Sequence, residues 1–391
     1  MCGFPVAAIE VEQQPARSSG SPLQLAAVLA LAVCAHAIYW ATRPPDMALF
    51  LEPWFAHIVH YGPVGAFAHP FSNYEPAYLY LLAVASLAHG LLSPMAIIKL
   101  LSVAGSLFLM LAVADLLKAL GAPAKTAIFT LVLPTVVINA ALLGQCDALW
   151  AGSCLLALAA MMRGATVRSL VWCGVAVAFK SQAAFIAPVI IGAMIGRRAP
   201  LWQWAVPALA FLASLVPAWF LGWPMGKLLM VYPDQAALVQ IPGRLGNLWM
   251  AATIFADHPS RSFFFVGYAA AAAAAVAIAA LATKAFGDRQ RLLSLALLSA
   301  TALPFLLPKM LERYYFLADL LAFVLALSVA NRRSLLIAVA VQLASLMSLL
   351  TYIYWYHWPY PALLGTLFAT AALGLTASSL RFQTSHSTRS A

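Results

Sequence analysis

The chain has 391 residues, of which 64% are hydrophobic and only 9% are charged, and its formal net charge is +10. A mean hydropathy of +0.91 excludes an ordinary soluble protein, and the Lys and Arg residues are scattered at the ends of apolar segments rather than gathered in a nucleic-acid-binding patch. The five cysteines include no C-x-x-C pair, so the sequence predicts neither a disulfide framework nor a thiolate zinc site.

Continuous apolar runs, rather than alternating ones, recur along the whole chain. Because helices satisfy their own backbone groups in lipid, the pattern predicts an all-α integral membrane protein with roughly 11–13 spans of about 20 residues each. The predicted segments are 23–41, 76–92, 95–117, 126–143, 147–162, 169–195, 200–222, 262–284, 292–308, 314–330, 334–356 and 360–380. They form one transmembrane domain, 23–380, with long outer loops 42–75 and 223–261 and disordered tails 1–22 and 381–391.

The positive-inside rule orients these segments. Basic residues at 284–291, at 332–333 and in the C-terminal tail belong in the cytoplasm, and this places loops 42–75 and 223–261 outside. Lys118, Lys125, Arg163 and Arg168 also have a cytoplasmic character, whereas counting segments places them outside. Segment 169–195 is too short for two full crossings, so a hairpin of two half-helices with its break near Pro188 is one solution. The topology of 93–196 stays open at this stage.

Polar chemistry gathers first in the stretch 46–80, which carries Asp46, Glu52 and Glu75 together with three histidines. Glu75 precedes Pro76 at a helix start, where a carboxylate also suits the helix dipole. His57 and His60 are three residues apart and could share a metal on one helix face, although the sequence favours a solvated interfacial face.

Ionisable residues inside apolar segments indicate function by default, because burying them in lipid is costly. Lys180 lies well inside its segment, with Gln182 two residues on, and predicts a cation for a phosphate or carboxylate; snorkelling to the interface is the alternative. Asp147, beside Gln145, is either part of a site or a helix N-cap. Asp115 lies one helical turn before Lys118 and predicts a structural ion pair.

A further polar run, 308–315, places three charges at the boundary of a predicted span. Lys309 or Arg313 could bind an anionic headgroup, since the guanidinium fork suits phosphate, and an interfacial anchor containing an ion pair is the alternative. Four polar stations, at 46–75, 145–147, 180–182 and 309–315, thus lie along the chain, and all are expected on the outer side.

These four stations resemble, in order, the motifs of the GT-C superfamily glycosyltransferases that use polyprenyl-phosphate sugars. The nearest resemblance is to glycosylphosphatidylinositol-type mannosyltransferases and dolichyl-phosphate-glucose glucosyltransferases. The matching features are an early-loop aspartate at Asp46, the stretch 73–79 (NYEPAYL), the motif 144–147 (GQCD), the motif 179–182 (FKSQ) followed by Pro188, and the motif 311–314 (LERY). Together they cover about residues 46–320. Leu311 replaces a family histidine, and Glu75-Pro76-Ala77 replaces Pro-Pro-Leu, which adds a carboxylate.

The resemblance implies a GT-C-like helical bundle that transfers a hexose, mannose or glucose favoured, to an acceptor hydroxyl with inversion. Asp46 would act as the general base that takes the proton of the acceptor hydroxyl. No general acid is needed, because the phosphate is already a good leaving group. The donor phosphate would be bound by Lys180, Arg313 and Lys309. The substrate-binding residues implied are Tyr74, Glu75, Gln145, Asp147, Gln182, Glu312 and Tyr314.

The partners implied are a polyprenyl-phosphate-linked sugar donor, the lipid bilayer and a glycolipid, glycan or protein acceptor, with no nucleic acid. No cofactor is required on this scheme, because fixed cations neutralise the phosphate, and a divalent metal is optional. The rival class is a polytopic transporter or lipid flippase, which predicts internal repeats with paired broken helices that the sequence does not display. The Ala-rich composition favours a bacterial inner membrane, with the active site on the non-cytoplasmic side.

Overall fold

The computed structural model of the chain describes residues 22–238, 245–252, 261–353 and 360–387, and these residues form helices and no strand. The α-helices of the described residues are α1 (Pro22–Ile38), α2 (Glu52–Tyr61), α3 (Pro76–Ala85), α4 (Pro94–Ala119), α5 (Pro134–Val137), α6 (Asp147–Met162), α7 (Thr166–Phe179), α8 (Ala187–Gly196), α9 (Val206–Phe220), α10 (Met225–Leu238), α11 (Leu248–Ala252), α12 (Arg261–Thr283), α13 (Arg289–Leu306), α14 (Phe316–Val329), α15 (Arg332–Ile353) and α16 (Tyr360–Ser387).

Several of these helices have the length and composition needed to cross a membrane. The five that qualify alone are Pro94–Ala119, Leu201–Phe220, Phe264–Thr283, Arg332–Ile353 and Tyr360–Arg381. A sixth candidate, bent by 58°, joins Ala124–Val132 to Pro134–Leu142, and other apolar helices of 10–17 residues are shorter. An all-α chain with helices of spanning length is therefore confirmed and indicates an integral membrane protein. The span count of 11–13 and the GT-C architecture stay predictions.

One end of the helix bundle, here called the basic end, is held together by arginines. Arg163 Nη1 pairs with Asp115 Oδ2 at 2.7 Å, and Arg289 Nη1 donates to the carbonyl oxygen of Ala119 at 2.8 Å. Arg197 Nη2 donates at 2.7 Å to a carbonyl at the end of α6. The ends of α4, α6 and α8 and the start of α13 therefore meet here. The predicted pairing of Asp115 with Lys118 is wrong, because Arg163 at the end of α6 reaches across and pairs with the carboxylate.

The predicted segment 76–92 does not carry the chain to the basic end. Residues 76–88, α3 and a short 3₁₀ turn, extend only about 20 Å, less than the ~30 Å apolar thickness of a bilayer. Lys99, in the second turn of α4, already donates to backbone carbonyls of residues 39–42, at the end that carries loop 42–75. This opposite end is called the loop end. Counting 76–92 as a crossing is what separated Lys118 and Arg163 from the other basic residues in the predicted topology.

The predicted hairpin within 169–195 is present, but its break is at Lys180 and not near Pro188. Lys180 is extended, with φ −157° and ψ 143°, between α7 and the 3₁₀ helix Ser181–Ile186. Pro188 lies in the first turn of α8, where a proline disturbs no helical hydrogen bond. Because α7 begins and α8 finishes at the basic end, Lys180 is placed at the loop end.

Small residues allow α8 and α12 to approach closely. A Cβ atom at Gly192 would lie 2.2 Å from the carbonyl oxygen of Ala279, and one at Gly196 would lie 2.2 Å from that of Thr283. Close backbone approach of this kind increases van der Waals contact between helices that have no hydrophobic drive to associate within lipid. The contact fixes α8, and with it the break at Lys180.

The first loop is partly helical, and His57 packs within it instead of lying on the expected solvated face. His57 stacks on Phe71 with ring centroids 4.3 Å apart, and its Nε2 bonds the carbonyl oxygen of Ala66 at 3.1 Å. His57 is thus engaged within the loop and does not pair with His60 around a metal. Among the residues that the structure describes, no group of three or more His, Cys, Asp and Glu side chains is placed to hold a metal ion.

The second loop and the tails are described only in part. Helices α10 and α11 occupy part of loop 223–261, while Arg244 and Asp257 lie outside the described residues. The predicted tail 1–22 lies outside them except for Pro22, which begins α1. Helix α16 continues past the predicted boundary at residue 380 to Ser387.

The two outer loops are expected on one side of the membrane and the basic end on the other. In a cysteine-free background, Val64→Cys and Ala237→Cys should both react with an impermeant thiol reagent in intact cells, because both positions are exposed at the loop end. Asn331→Cys, exposed at the opposite end, should react only after permeabilisation. Labelling of Val64→Cys without Ala237→Cys would contradict a shared side.

Candidate functional site

A cavity of about 440 Å³ opens among the helices at the loop end. Nine of the eleven site residues that the sequence predicts line it, namely Asp46, Tyr74, Glu75, Gln145, Lys180, Gln182, Lys309, Arg313 and Tyr314. The other two, Asp147 and Glu312, are buried behind cavity-lining side chains. Apolar side chains, including Phe50, Trp54 and Phe179, complete the wall. The structure thus brings the four polar stations together, although the role of each residue stays a prediction.

Asp46 is held by three donors from distant parts of the chain. Its Oδ2 pairs with Arg313 Nη1 at 2.8 Å and accepts from Gln145 Nε2 at 3.2 Å, while its Oδ1 accepts from Tyr352 Oη at 2.7 Å. Burial alone would raise the pKa of Asp46, but the charge of Arg313 and these hydrogen bonds outweigh it and hold that pKa below its usual value. Asp46 is therefore a firmly ionised carboxylate.

Lys180 is compensated by a carboxylate, which corrects the expectation of an unpaired lysine kept for a lipid phosphate. Its Nζ lies 2.5 Å from Asp147 Oδ1, and both side chains are buried. Asp147 also accepts from Trp150 Nε1 at 2.9 Å and from Asn139 Nδ2 at 2.6 Å. Since the Asp147 carboxylate is used in this way, it does not cap α6, and Lys180 does not snorkel to an interface.

Gln145 joins the two ion pairs into one network. Its Nε2 donates to Asp46, and its Oε1 accepts from Tyr74 Oη at 3.1 Å and lies 3.5 Å from Lys180 Nζ. The Lys180 ammonium also lies 5.2 Å from the centroid of the Tyr74 ring, within the range of a cation–π contact. A change at either ion pair is therefore transmitted to the other through a single amide.

The backbone around Gln145 requires a glycine before it. Gly144 has φ +65°, a backbone conformation that residues with a Cβ atom rarely adopt. An added Cβ would also lie 2.5 Å from the terminal methyl of Met47. Met47 is fully buried next to Asp46. Gly144 thus lets the 144–147 motif pack directly against the segment that carries Asp46.

Lys99 anchors the start of the first loop from inside α4. It is fully buried, and its Nζ donates to the carbonyl oxygens of Tyr39, Trp40 and Thr42 at 2.8, 2.9 and 2.6 Å. These carbonyls follow the last turn of α1, and the carbonyl oxygen of Tyr39 also accepts from the backbone N–H of Thr42 at 3.1 Å. Lys99 therefore fixes the chain just before Asp46. The sequence does not reveal this role, because a lysine near the end of an apolar run looks like an interfacial residue.

The 309–314 segment supplies the remaining cations of the cavity. Glu312 Oε1 lies 3.9 Å from Arg313 Nε. Burial alone would lower the pKa of Arg313, but the negative charges of Asp46 and Glu312 outweigh it and raise that pKa well above its usual value. Lys309 has φ +62°, and its Nζ donates to the carbonyl of Ala236 at 3.3 Å. Among the described residues no carboxylate lies within 4.0 Å of Lys309, so its charge is available to an anion.

Glu75 differs from Asp46 and Asp147, the two carboxyl groups of the site that accept several hydrogen bonds. It is 1% exposed, and its Oε2 has no hydrogen-bond partner among the described residues. Although it occupies the N-cap position of α3, its side chain makes no capping bond and lines the cavity instead. Burial without a compensating charge raises the pKa of Glu75 to about 8. At neutral pH this carboxyl is mostly protonated.

Several residues of the site carry no sequence signal that reveals their role. Tyr352 reaches Asp46 from the last turn of α15, and Asn139 reaches Asp147 from a single π-helical turn. Tyr232 and Gln235 of α10 line the cavity, and Gln235 donates to the carbonyl oxygen of Asn73. This last bond joins the two outer loops, as the prediction of a shared side requires.

No protein-family model matches this chain, and no curated protein matches it either. The fold and the site therefore define the class by themselves. It is an all-helical protein of membrane-spanning character with a cavity at one end. Within the described ranges, the cavity is lined by paired charges, by a cation without a carboxylate partner and by a carboxyl group with an unpartnered oxygen.

Removing one partner of the buried Lys180–Asp147 pair should lower the free energy of unfolding more than removing both charges. Lys180→Met should lower the free energy of unfolding by about 3–5 kcal/mol, because Asp147 is left buried and uncompensated. Lys180→Met/Asp147→Asn should recover most of that loss. Thermal unfolding in detergent, followed by tryptophan fluorescence, measures both, with the exposed Lys227→Met as control. Equal destabilisation of the single and double variants would contradict this.

Glu75 should destabilise the folded chain increasingly as the pH rises. Between pH 4.5 and about 8 the folded state keeps a proton that the unfolded state has released, so the free energy of unfolding falls across this window. Glu75→Gln removes the charge, and its melting temperature should exceed that of the wild type by a margin that widens from pH 5 to pH 8.

Gln182→Ala, which alters an uncharged side chain of the same cavity, is the matched control and should show a difference that does not change with pH. A margin for Glu75→Gln that stays constant across the same range would show that Glu75 is not buried as a neutral acid.

Proposed function

We propose that this chain is a membrane glycosyltransferase that moves a hexose, mannose or glucose, from a polyprenyl-phosphate sugar to an acceptor hydroxyl with inversion. The observation that carries the proposal is the convergence of four polar stations, separated by up to 267 residues, on one cavity. Convergence of polar motifs in a largely apolar pocket is the usual arrangement of a ligand site. The ordered motifs of the GT-C resemblance supply the reaction class.

The cations of the cavity suit a lipid phosphate. Lys309 has no carboxylate partner among the described residues, and Lys180 and Arg313 line the same space from within their ion pairs. We therefore assign Lys309 as the main contact of the donor phosphate, with Arg313 next to it. Preorganised positive charge of this kind stabilises a departing phosphate without a metal being required. Apolar wall residues such as Phe50 and Leu307 would contact the lipid chain.

The reaction requires one proton acceptor. The acceptor oxygen attacks the anomeric carbon as the bond from that carbon to the phosphate oxygen breaks, and the phosphate leaves with the bonding electrons. The phosphate is already a good leaving group, so general acid catalysis is not needed. Two carboxyl groups line the cavity and could take the proton from the acceptor hydroxyl. One is Asp46, the base that the family resemblance implies, and the other is Glu75.

The cavity lies at the loop end, away from the basic end. With the basic end in the cytoplasm, the site would face the non-cytoplasmic side, and a bacterial inner membrane is the favoured location. Gln182, Tyr314 and Tyr74 would bind sugar or acceptor hydroxyls from the cavity wall, and a glycolipid, a glycan or a protein could supply the acceptor.

The proposal is tested with purified protein in nanodiscs, radiolabelled short-chain polyprenyl-phosphate mannose or glucose as donor, and octyl glycosides as acceptors. The wild type should transfer label to an octyl glycoside. Lys309→Met should raise KM for the donor by about 10–100-fold, which corresponds to losing a hydrogen bond to a charged group. Lys227→Met, an exposed lysine outside the cavity, is the matched control and should leave KM unchanged.

An unchanged donor KM in Lys309→Met would remove Lys309 from the phosphate site. Failure of the wild type to transfer label with either donor would overturn the proposed function. Movement of the labelled lipid across a proteoliposome membrane, without transfer, would establish the transporter or flippase class instead.

A further inference from the structure

Glu75 is a carboxyl group of the cavity that can change its protonation state. It lines the cavity, it is 1% exposed, and its Oε2 is buried without a partner among the described residues. A buried polar atom without a partner is costly, so a ligand that supplies the missing hydrogen bond is the natural explanation. A substrate hydroxyl is such a ligand, because it donates one hydrogen to an oxygen.

The other carboxylates of the site already have their protein partners. Asp46 accepts from Arg313, Gln145 and Tyr352, and Asp147 accepts from Lys180, Asn139 and Trp150. Each hydrogen bond to the charged form stabilises that form and weakens the group as a base. Taking a proton on Asp46 would also break its 2.8 Å pair with Arg313, which would leave the arginine with only the more distant Glu312 carboxylate, 3.9 Å from its Nε.

Within the part of the chain that the structure describes, the surroundings of Glu75 contain titratable groups but no ion-pair partner. The titratable groups that interact with it most directly are Tyr80 of α3 and Tyr232 of α10. The cations Lys180, Lys309 and Arg313 face the same cavity, and none of them lies within 4.0 Å of the Glu75 carboxyl. Glu75 can therefore gain or lose a proton without breaking a contact of the fold.

We propose that Glu75, rather than Asp46, accepts the proton of the acceptor hydroxyl, and that Asp46 acts as a positioning residue that holds Arg313 in the cavity. This assignment rests on the proposed glycosyl transfer. As the acceptor oxygen bonds to the anomeric carbon, its proton moves to a carboxylate oxygen of Glu75. The bond to the phosphate breaks and the lipid phosphate leaves with the electron pair. The proton then leaves Glu75 for water when the products depart.

The acid–base behaviour of Glu75 agrees with this role. A base is most effective when its pKa is near the working pH, and burial raises the pKa of Glu75 to about 8. Only the ionised form can act, so kcat/KM for transfer to an alcohol should rise with pH and level off above about 8. If Asp46 were the base, transfer would show no such rise, because its pKa lies below the usual value.

The experiment compares two nucleophiles in the same nanodisc assay, octyl mannoside and azide. Azide carries no proton, so its attack on the anomeric carbon needs no base. Glu75→Gln should lower transfer to octyl mannoside by about 10²–10⁴-fold, the usual contribution of a general base, and keep transfer to azide within about threefold of the wild type. Asp46→Asn should lose transfer to both nucleophiles, because it releases Arg313.

The outcomes separate the base assignment from the proposed function. Preserved azide transfer in Asp46→Asn with loss of both reactions in Glu75→Gln would make Asp46 the base and overturn the assignment. Equal loss of both reactions in Glu75→Gln would leave Glu75 as a binding residue only, and would likewise overturn it. A wild type that transfers sugar to neither nucleophile overturns the proposed function, and the Glu75 assignment falls with it.

Discussion

The half-buried pair of Asp46 and Arg313 is the constraint around which the loop end is organised. Two charges taken out of water are tolerated only when each satisfies the other and the remaining lone pairs are also bonded. Gln145 and Tyr352 supply those bonds, and Gln145 extends the network to a second buried pair, Lys180 with Asp147. The first loop, the centre of the chain and its last third are therefore held in one arrangement by electrostatics.

The backbone is irregular where this network requires it to be. Gly144 and Lys309 both have positive φ, and Lys180 is extended between two helices. In apolar surroundings such backbone is stable only where protein or a wet cavity surrounds it. The same irregularities place helix ends at the cavity, so side chains from many helices point into a small volume. The regular helices beyond them form the apolar core.

Three of the four carboxyl groups at this site differ in the way they are compensated. Asp46 and Asp147 are each paired with a cation, whereas Glu75 faces the cavity without a partner among the described residues. Their sequence contexts alone would rank them similarly. Two of these carboxylates are thus ion-paired, whereas Glu75 forms no ion pair within the described residues. The proposed glycosyl transfer would use both kinds of group, the paired carboxylates to position cations and Glu75 to exchange a proton with the substrate.

The sequence by itself determined the all-α class, the helices of spanning length and the residues around the cavity, because continuous hydrophobicity and costly buried charges are local properties. It did not determine the partners. Whether Lys180 meets a ligand or Asp147 depends on how α6 and α7 pack, and whether Asp115 binds Lys118 or Arg163 depends on the next helix. Nor could it show that 76–92 stops short of the basic end, since an apolar run has the same composition whether it continues as a helix or turns back. Those decisions belong to tertiary packing, because pairing a charge depends on distances between helices that no local pattern encodes.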